Sequence, residues 1–223
     1  MTTDHPAGHG EAEATRERLL EAAERLFAKK GYDGTSLREI TSAAGCNIAA
    51  VNYHFGGKEN LYLQVFHRRL GHLRDLRISR LEQVLAEAGG NATPELVLST
   101  FTTAFLEPLA DESAGRQLME LMAREMLDPH LPRSVFVEDM IGPVRRSLAG
   151  ALEQVTPGLD HETALLCVHS VVGQLVHVIH HERFLHGTAT GSWPTEELQR
   201  LADHIARFSA GGVRALAGAG EPS

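Results

Sequence analysis

Two stretches of the chain concentrate side chains that could do chemistry. From His177 the sequence reads H-V-I-H-H, which puts His177 and His181 four residues apart on one helical face with His180 beside them, a spacing able to hold a metal ion. A zinc-protease motif places a Glu directly after its first His, and here Val178 stands there. His181 and His186 are five residues apart, a rotation of about 140° off the face of a helix. No carboxylate or thiolate is spaced to complete the three or four ligands a metal normally requires. Buried or interfacial histidines are therefore the better reading, and an all-α metal-dependent enzyme using the His177/His181 helix stays a remote alternative. With no nucleophile motif and no phosphate-binding loop elsewhere, the sequence assigns no catalytic residue, no metal and no cofactor, and the chain reads as a non-enzyme.

The second stretch runs from Ser36 to Lys58 and is rich in hydrogen-bond donors: Ser36, Arg38, Asn47, Asn52, Tyr53, His54 and Lys58. Its spacing describes the elements that would present them. Ser36 is followed three residues later by Glu39, the pattern in which two side chains each satisfy a free backbone N–H at a helix start. Leu37, Ile40 and Ala44 follow at helical spacing, and Gly45 stands where the chain must turn. Asn47 is a good cap for a second helix, Ile48 to His54. Two short helices joined by a tight turn containing Gly form a helix-turn-helix, whose second helix enters the major groove of DNA.

The charge distribution agrees with that reading once it is divided. The 223-residue chain carries a formal net charge of −8, yet residues 15–80 hold twelve Lys and Arg against seven Asp and Glu, a net of +5. A basic head on an acidic body is what a nucleic-acid-binding protein shows. A hydrophobic content of 43% allows a sizeable core. The sequence contains neither an eighteen-residue apolar run nor a signal-peptide core, so no membrane partner is expected. Cys46 and Cys167, its two cysteines, show no motif spacing, and a reducing cytoplasm is the expected location.

Periodicity places further helices. Leu19, Ala22, Ala23, Leu26 and Phe27 mark an amphipathic helix from Thr15 to Lys30. A long pattern from Lys58 to about Ala88 spans roughly 45 Å at 1.5 Å per residue and could join a head to a distant body as one rod. Thr93-Pro94 starts another helix, to about Leu109. Others follow at about 113–127, 133–155, 160–186 and 195–216. The fold class is all-α with about nine helices. Residues 1–13 are expected as a disordered tail, 14–60 as the helix-turn-helix DNA-binding domain, and 61–223 as a ligand-binding and dimerisation domain.

Several segments carry a resemblance. T-R-E-R-L-L-E-A-A-E-R-L-F-A-K-K-G-Y at 15–32, T-S-L-R-E-I at 35–40, A-A-G at 43–45 and N-Y-H-F-G-G-K-E-N-L at 52–61 closely resemble the TetR-type transcriptional regulators. L-M-A-R-E-M-L-D-P-H-L-P at 121–132 and V-V-G-Q-L at 171–175 resemble the subgroup whose C-terminal domain is like that of CecR. The resemblance implies a homodimer that binds a palindromic operator on double-stranded DNA, usually as a repressor, and is released by a small-molecule effector in the C-terminal domain. A ligand-independent DNA-binding protein or an activator is the alternative. Carried over by position, Thr35 and Ser36 would contact backbone phosphates, and Arg38 would read bases with a fork that can take guanine O6 and N7 together. Asn47 caps the reading helix at the interface, Ile48, Ala49 and Ala50 form its front, and Tyr53, His54 and Lys58 would contact phosphates. Asn52 stands where many members have Tyr. The apolar Ile-Ala-Ala front has no side-chain hydrogen bond to offer, and thymine methyl groups are its natural targets. Cys46 sits where the family has small apolar residues, which favours a packing role.

For the body, the 160–186 helix is apolar almost all round and so is expected to be buried on two sides. The resemblance implies a four-helix dimer interface, for which Leu165, Val168, Val172, Leu175, Val176, Ile179, Leu201, Ile205 and Phe208 are candidates. Phe101, Phe105, Met119, Met122, Met126 and Phe136 are candidate lining for an apolar cavity, with His169 or His177 as polar handles.

Overall fold

A computed structural model describes residues 7–110, 121–122, 124–125, 128–132, 134–185 and 194–218. Among these residues there are eight α-helices and no strand: α1 (Ala7–Lys30), α2 (Leu37–Ala44), α3 (Ile48–Phe55), α4 (Lys58–Ala88), α5 (Pro94–Leu106), α6 (Gly142–Val155), α7 (His161–Leu185) and α8 (Thr195–Ala217). A 3₁₀ turn, Glu107–Ala110, follows α5, and a π-helical turn, Val135–Ile141, leads into α6. The helix expected at about 113–127 falls largely outside the described residues, although residues 121, 122, 124 and 125 are helical. That accounts for eight helices against an expected nine.

The chain divides into two compact units: Met1–Gly71 with Glu120–Leu131, and His72–Met119 with Pro132–Ser223. This differs from the boundary expected at residue 60. Leu61, Tyr62, Val65, Phe66 and Leu70 on α4 are all buried, and they fall in the first unit with α1. The expected tail differs too, since α1 begins at Ala7. Of the described side chains in that first part, Glu11, Glu13 and Ala14 are exposed. Local bonds run along it, the Thr15 hydroxyl donating to the Glu11 carbonyl at 2.9 Å and Arg16 pairing with Glu13 at 3.5 Å.

In the first unit α1 packs on α2 and α3. Leu19, Phe27, Ile40, Val51, Leu61 and Phe66 form its core. Tyr62 sits among the rings of Phe27, Tyr32 and Phe66, with centroids 4.8–5.0 Å away. Such edge-on aromatic pairs add about 0.5–1.5 kcal/mol beyond the area they bury. Gly31, at φ 75°, ends α1. Arg124 then donates from Nε to the Ala28 carbonyl and from Nη2 to the Lys29 carbonyl, both at 3.1 Å. A cation on the last carbonyls of a helix is favoured by the helix dipole as well as by the hydrogen bonds.

In the second unit α5 packs on α8, α7 packs on both α6 and α8, and α5 touches α6 and α7. Val97, Leu98, Phe101, Leu148, Leu152, Val168, Leu175, Leu198 and Ile205 are buried there. Thr102 is buried with them, and its hydroxyl donates to the Ala202 carbonyl at 3.1 Å, tying α5 to α8.

Candidate nucleic-acid interface

The helix-turn-helix is fastened by side chains that also set its orientation. Ser36 caps α2, its hydroxyl accepting from the Glu39 N–H at 3.2 Å while the Glu39 carboxylate accepts from the Ser36 N–H at 2.9 Å. Gly45 adopts φ 65°, a left-handed conformation that suits glycine, and ends α2. Asn47 caps α3, its side-chain oxygen accepting from the Ala50 N–H at 3.1 Å. Gly56, at φ 74°, closes α3 with its N–H on the Asn52 carbonyl at 3.0 Å. Both ends of both helices are thus fixed by residues inside the motif.

Burial then decides which side of α3 faces outward. Val51 and Phe55 are buried, while Ile48, Ala49, Asn52 and Tyr53 are exposed. Positions i, i+1, i+4 and i+5 lie on one helical face, so the outward face is Ile48, Ala49, Asn52 and Tyr53, the last 80% exposed. Ala50 and His54 are half-buried flanks, so the front is narrower in apolar residues and richer in polar ones than an Ile-Ala-Ala run. Arg38 projects exposed from α2. Lys58 is half-buried at the start of α4, its ammonium 4.1 Å from the centre of the Tyr32 ring.

Two of the expected contact residues are engaged elsewhere. Thr35 is only 1% exposed, and its hydroxyl donates inward to the carbonyls of Gly31 at 2.8 Å and Leu26 at 3.2 Å. The structure therefore corrects its assignment: Thr35 locks the α1–α2 connection and has no hydroxyl to offer a phosphate. The Ser36 hydroxyl is exposed but taken up by the cap, donating to the Glu39 carboxylate at 2.9 Å as well as accepting from its N–H. Glu39 also pairs with Lys30. The hydrogen bond from Lys30, followed by those from the Ser36 backbone and hydroxyl, holds the Glu39 carboxyl down to about 2. Burial pushes the Cys46 thiol up despite nearby Arg18, which disfavours a reactive thiolate and fits a packing role.

Glu125 is the residue of the first unit that sequence reasoning missed. It is buried, and its carboxylate accepts from the Tyr62 hydroxyl at 2.9 Å, the His130 N–H at 2.9 Å and the Leu131 N–H at 2.6 Å. Burial, then the Glu125 charge, pushes the Tyr62 hydroxyl well above the usual phenol range. The His130 ring lies on Tyr32 at 4.7 Å, with Nδ1 2.8 Å from the Asp128 carbonyl and Nε2 3.4 Å from the Asp33 carboxylate. Ligand atoms of Asp33, Asp128 and His130 all lie within 4.8 Å of one another, but both carboxylates face solvent. No local spacing could have revealed these partners, since Asp33 and His130 are 97 residues apart.

In the second unit the expected sites are redistributed. Phe101 is buried and Phe105 half-buried on α5, their rings 5.9 Å apart. His169 and His177 lie on the exposed side of α7, away from the core, so neither is a handle in an interior cavity. Met122 is half-buried in the first unit. Met119, Met126 and the side chain of Phe136 lie outside the described residues, as do the side chains of Ile179, His180 and His181. A shallow concavity of about 400 Å³ is lined by Glu197, Arg200, Leu201, Asp203, His204 and Arg207, all on α8 and mostly polar.

Of the nine residues expected at a subunit interface, Val168, Leu175 and Ile205 are buried inside their own unit and are corrected on that ground. Leu165, Val172, Val176 and Leu201 are half-buried. Phe208 is 69% exposed, and Leu166, which periodicity alone did not single out for the interface, is 62% exposed. The outward stripe of α7 is mixed, with Leu166 lying beside His169, Ser170, Gly173 and His177.

The family model for bacterial regulatory proteins of the tetR family matches residues 19–65, and the one for a tetracyclin repressor-like C-terminal domain matches residues 99–212. The HTH-type transcriptional dual regulator CecR of Shigella flexneri is 27% identical over 78% of this chain and 79% of its own length. The HTH-type transcriptional regulator AcrR of the same organism is 34% identical over 50% of this chain, which spans 49% of that relative's length. Among solved structures, a tetR-family regulator from Mesorhizobium loti aligns with a TM-score of 0.66 at 22% identity, covering 90% of this chain and 97% of the other. The fatty acid degradation regulator FadR from Bacillus halodurans aligns equally well, with a TM-score of 0.66 at 18% identity, 88% and 98% covered. At these identities the two structures share the fold.

Proposed function

Because the chain belongs to the tetR family of bacterial regulatory proteins and is a transcriptional regulator, we propose that it acts in the cytoplasm as a homodimeric repressor released from a palindromic operator by a small molecule. The observation that carries the DNA-binding half is the outward face of α3. Ile48 and Ala49 offer methyl contacts to thymine, while Asn52 and Tyr53 offer polar ones, to a base or phosphate. Arg38 beside them supplies a guanidinium fork suited to guanine. Lys58 and His54 flank this face and would bind phosphate, setting position without reading sequence.

Dimerisation is supported by the exposed faces of α7 and α8. Leu166 and Phe208 leave large apolar surface in water, and Gly173, Gly211 and Gly212 lie exposed on the same two helices. A Cβ added at any of these glycines would meet nothing within 4 Å inside the chain. Glycine in a helix interior costs about 0.5–1 kcal/mol relative to alanine, and internal packing here does not explain it. Close approach of a second copy does. A dimer would also set two reading helices about 34–36 Å apart, one turn of DNA.

Titration of the full chain against DNA from upstream of its own gene, followed by fluorescence anisotropy, tests the reading. Saturable binding to an inverted repeat, two chains per site, is expected, with release by a small molecule. Binding that no metabolite or drug weakens would favour a ligand-independent regulator instead. Phe208→Asp should give a monomer by sedimentation and weaken operator binding.

A further inference from the structure

Three arginines follow one another at three-residue spacing along α4 in the second unit, and their partners differ. Arg74 donates from Nε to the Asp75 carboxylate at 2.8 Å and from Nη1 to the Asp139 carbonyl at 2.9 Å. Arg80 engages both oxygens of Glu107, at 2.6 and 3.3 Å. Arg77, between them, is the most buried of the three at 8% exposure, and no carboxylate among the described residues pairs with it. Its Nη2 reaches the Phe105 carbonyl only at 3.5 Å, and its buried Nε has no acceptor. The guanidinium instead lies over the Phe105 ring, 4.2 Å from the centroid.

A buried cation without a counterion is strongly disfavoured, and the negative face of an aromatic ring replaces only part of what an anion would supply. Losing the proton is no escape. Burial lowers the Arg77 pKa to about 10, so the group remains charged near neutral pH. A guanidinium with an unused N–H edge matches a carboxylate, which accepts two parallel hydrogen bonds. Among the described residues, one cation without a carboxylate between two already paired ones suits a single negative charge better than a phosphate dianion. The half-buried Phe105 ring lies under the guanidinium, and the buried Phe101 is one turn before it, the two rings 5.9 Å apart.

We propose that Arg77 is the anion-binding point of the effector site in the second unit, and that the effector is an organic carboxylate with an apolar body. This rests on the ligand-responsive reading above and names the class of molecule that reading requires. The carboxylate takes the N–H of Arg77 that the chain leaves without an acceptor, and the apolar body packs against the half-buried Phe105.

Two measurements on the full chain test it. The first needs no ligand: in Arg77→Met an apolar chain of similar length replaces an uncompensated charge, and the melting temperature of the free protein should rise by about 2–4 °C. A fall of several degrees would mean that Arg77 has a partner within the folded chain, and would overturn the proposal. The second is calorimetry with matched pairs: decanoate and decanamide, benzoate and benzamide, 2-naphthoate and 2-naphthamide. The native chain should bind at least one carboxylate tenfold or more tightly than its amide. Arg77→Met should bind the two members alike, whereas Arg80→Met, whose cation is already paired with Glu107, should keep the preference. Equal binding of acid and amide by the native chain, or a preference that survives in Arg77→Met, removes the proposal but leaves a ligand-responsive regulator. If no member of any pair binds or releases DNA, the proposal and the ligand-responsive reading both lose their support.

Discussion

Glu125 in the first unit and Arg77 in the second are both charged side chains in the interior, and their surroundings are opposite. The Glu125 carboxylate accepts from a tyrosine hydroxyl and two backbone N–H groups, all within 2.9 Å. Arg77 has a carbonyl at the limit of hydrogen bonding, a ring face and an Nε without a partner. A buried charge whose bonds are complete holds a structure together, and its removal leaves several donors orphaned. One whose bonds are incomplete weakens the free protein, and an anion that arrives later can complete them. Glu125 is thus read as a fastening of the DNA-binding unit, and Arg77 as a site.

The contrast can be broken most directly at Glu125. Glu125→Leu leaves the Tyr62 hydroxyl and the N–H groups of His130 and Leu131 without acceptors, and should cost about 3–5 kcal/mol in urea unfolding, opposite in sign to Arg77→Met. If both variants destabilise the protein alike, the distinction between fastening and site is wrong. A smaller effect, confined to DNA, is expected at the exposed Arg38. Arg38→Ala should lose about 1–3 kcal/mol of operator affinity and relax preference at one base pair, with unchanged melting. Uniform loss across sequences would instead make Arg38 a phosphate contact. Thr35→Val separates fold from interface within the same motif. It should lower stability by about 1 kcal/mol by removing a buried hydroxyl that donates to two carbonyls, while sequence preference in competition binding stays as it was.

The smallest effect is a pH dependence. Glu39 has a folded-state pKa of about 2 against an ordinary 4.5, owing first to its hydrogen bond from Lys30 and then to Ser36. Its stabilising contribution is therefore present above about 4.5 and lost as the pH falls through about 2. Glu39→Gln should melt slightly below the native chain near neutral pH, and the two curves should converge on acidification. A gap that persists at the acid end would assign the loss to the cap geometry and not to the charge.

Much of the DNA-binding unit was legible because its determinants are local. Ser36 with Glu39, Gly45, Asn47 and Gly56 each act within four residues of their own position, through backbone groups that every helix end leaves free. Thr35 was misjudged for a related reason. A threonine beside a helix start resembles a phosphate ligand until its hydroxyl is seen to reach back to Gly31 and Leu26. The aromatic cage of Tyr62 and its bond to Glu125 were not legible, since the two residues lie 63 positions apart and neither stands in a motif that names the other.

By itself the sequence determined the all-α class, the helix-turn-helix and its caps, the basic character of residues 15–80 and the family, because helical period, capping chemistry and charge are properties of neighbouring residues. Tertiary structure alone decided which of α7's apolar residues turn inward. Val168 and Leu175 became core while Leu166 stayed outside, although all three are equally hydrophobic in sequence. It alone closed the buried bonds of Glu125 and left those of Arg77 open. Whether a charge is satisfied depends on groups brought close by packing, and sequence spacing does not record that proximity.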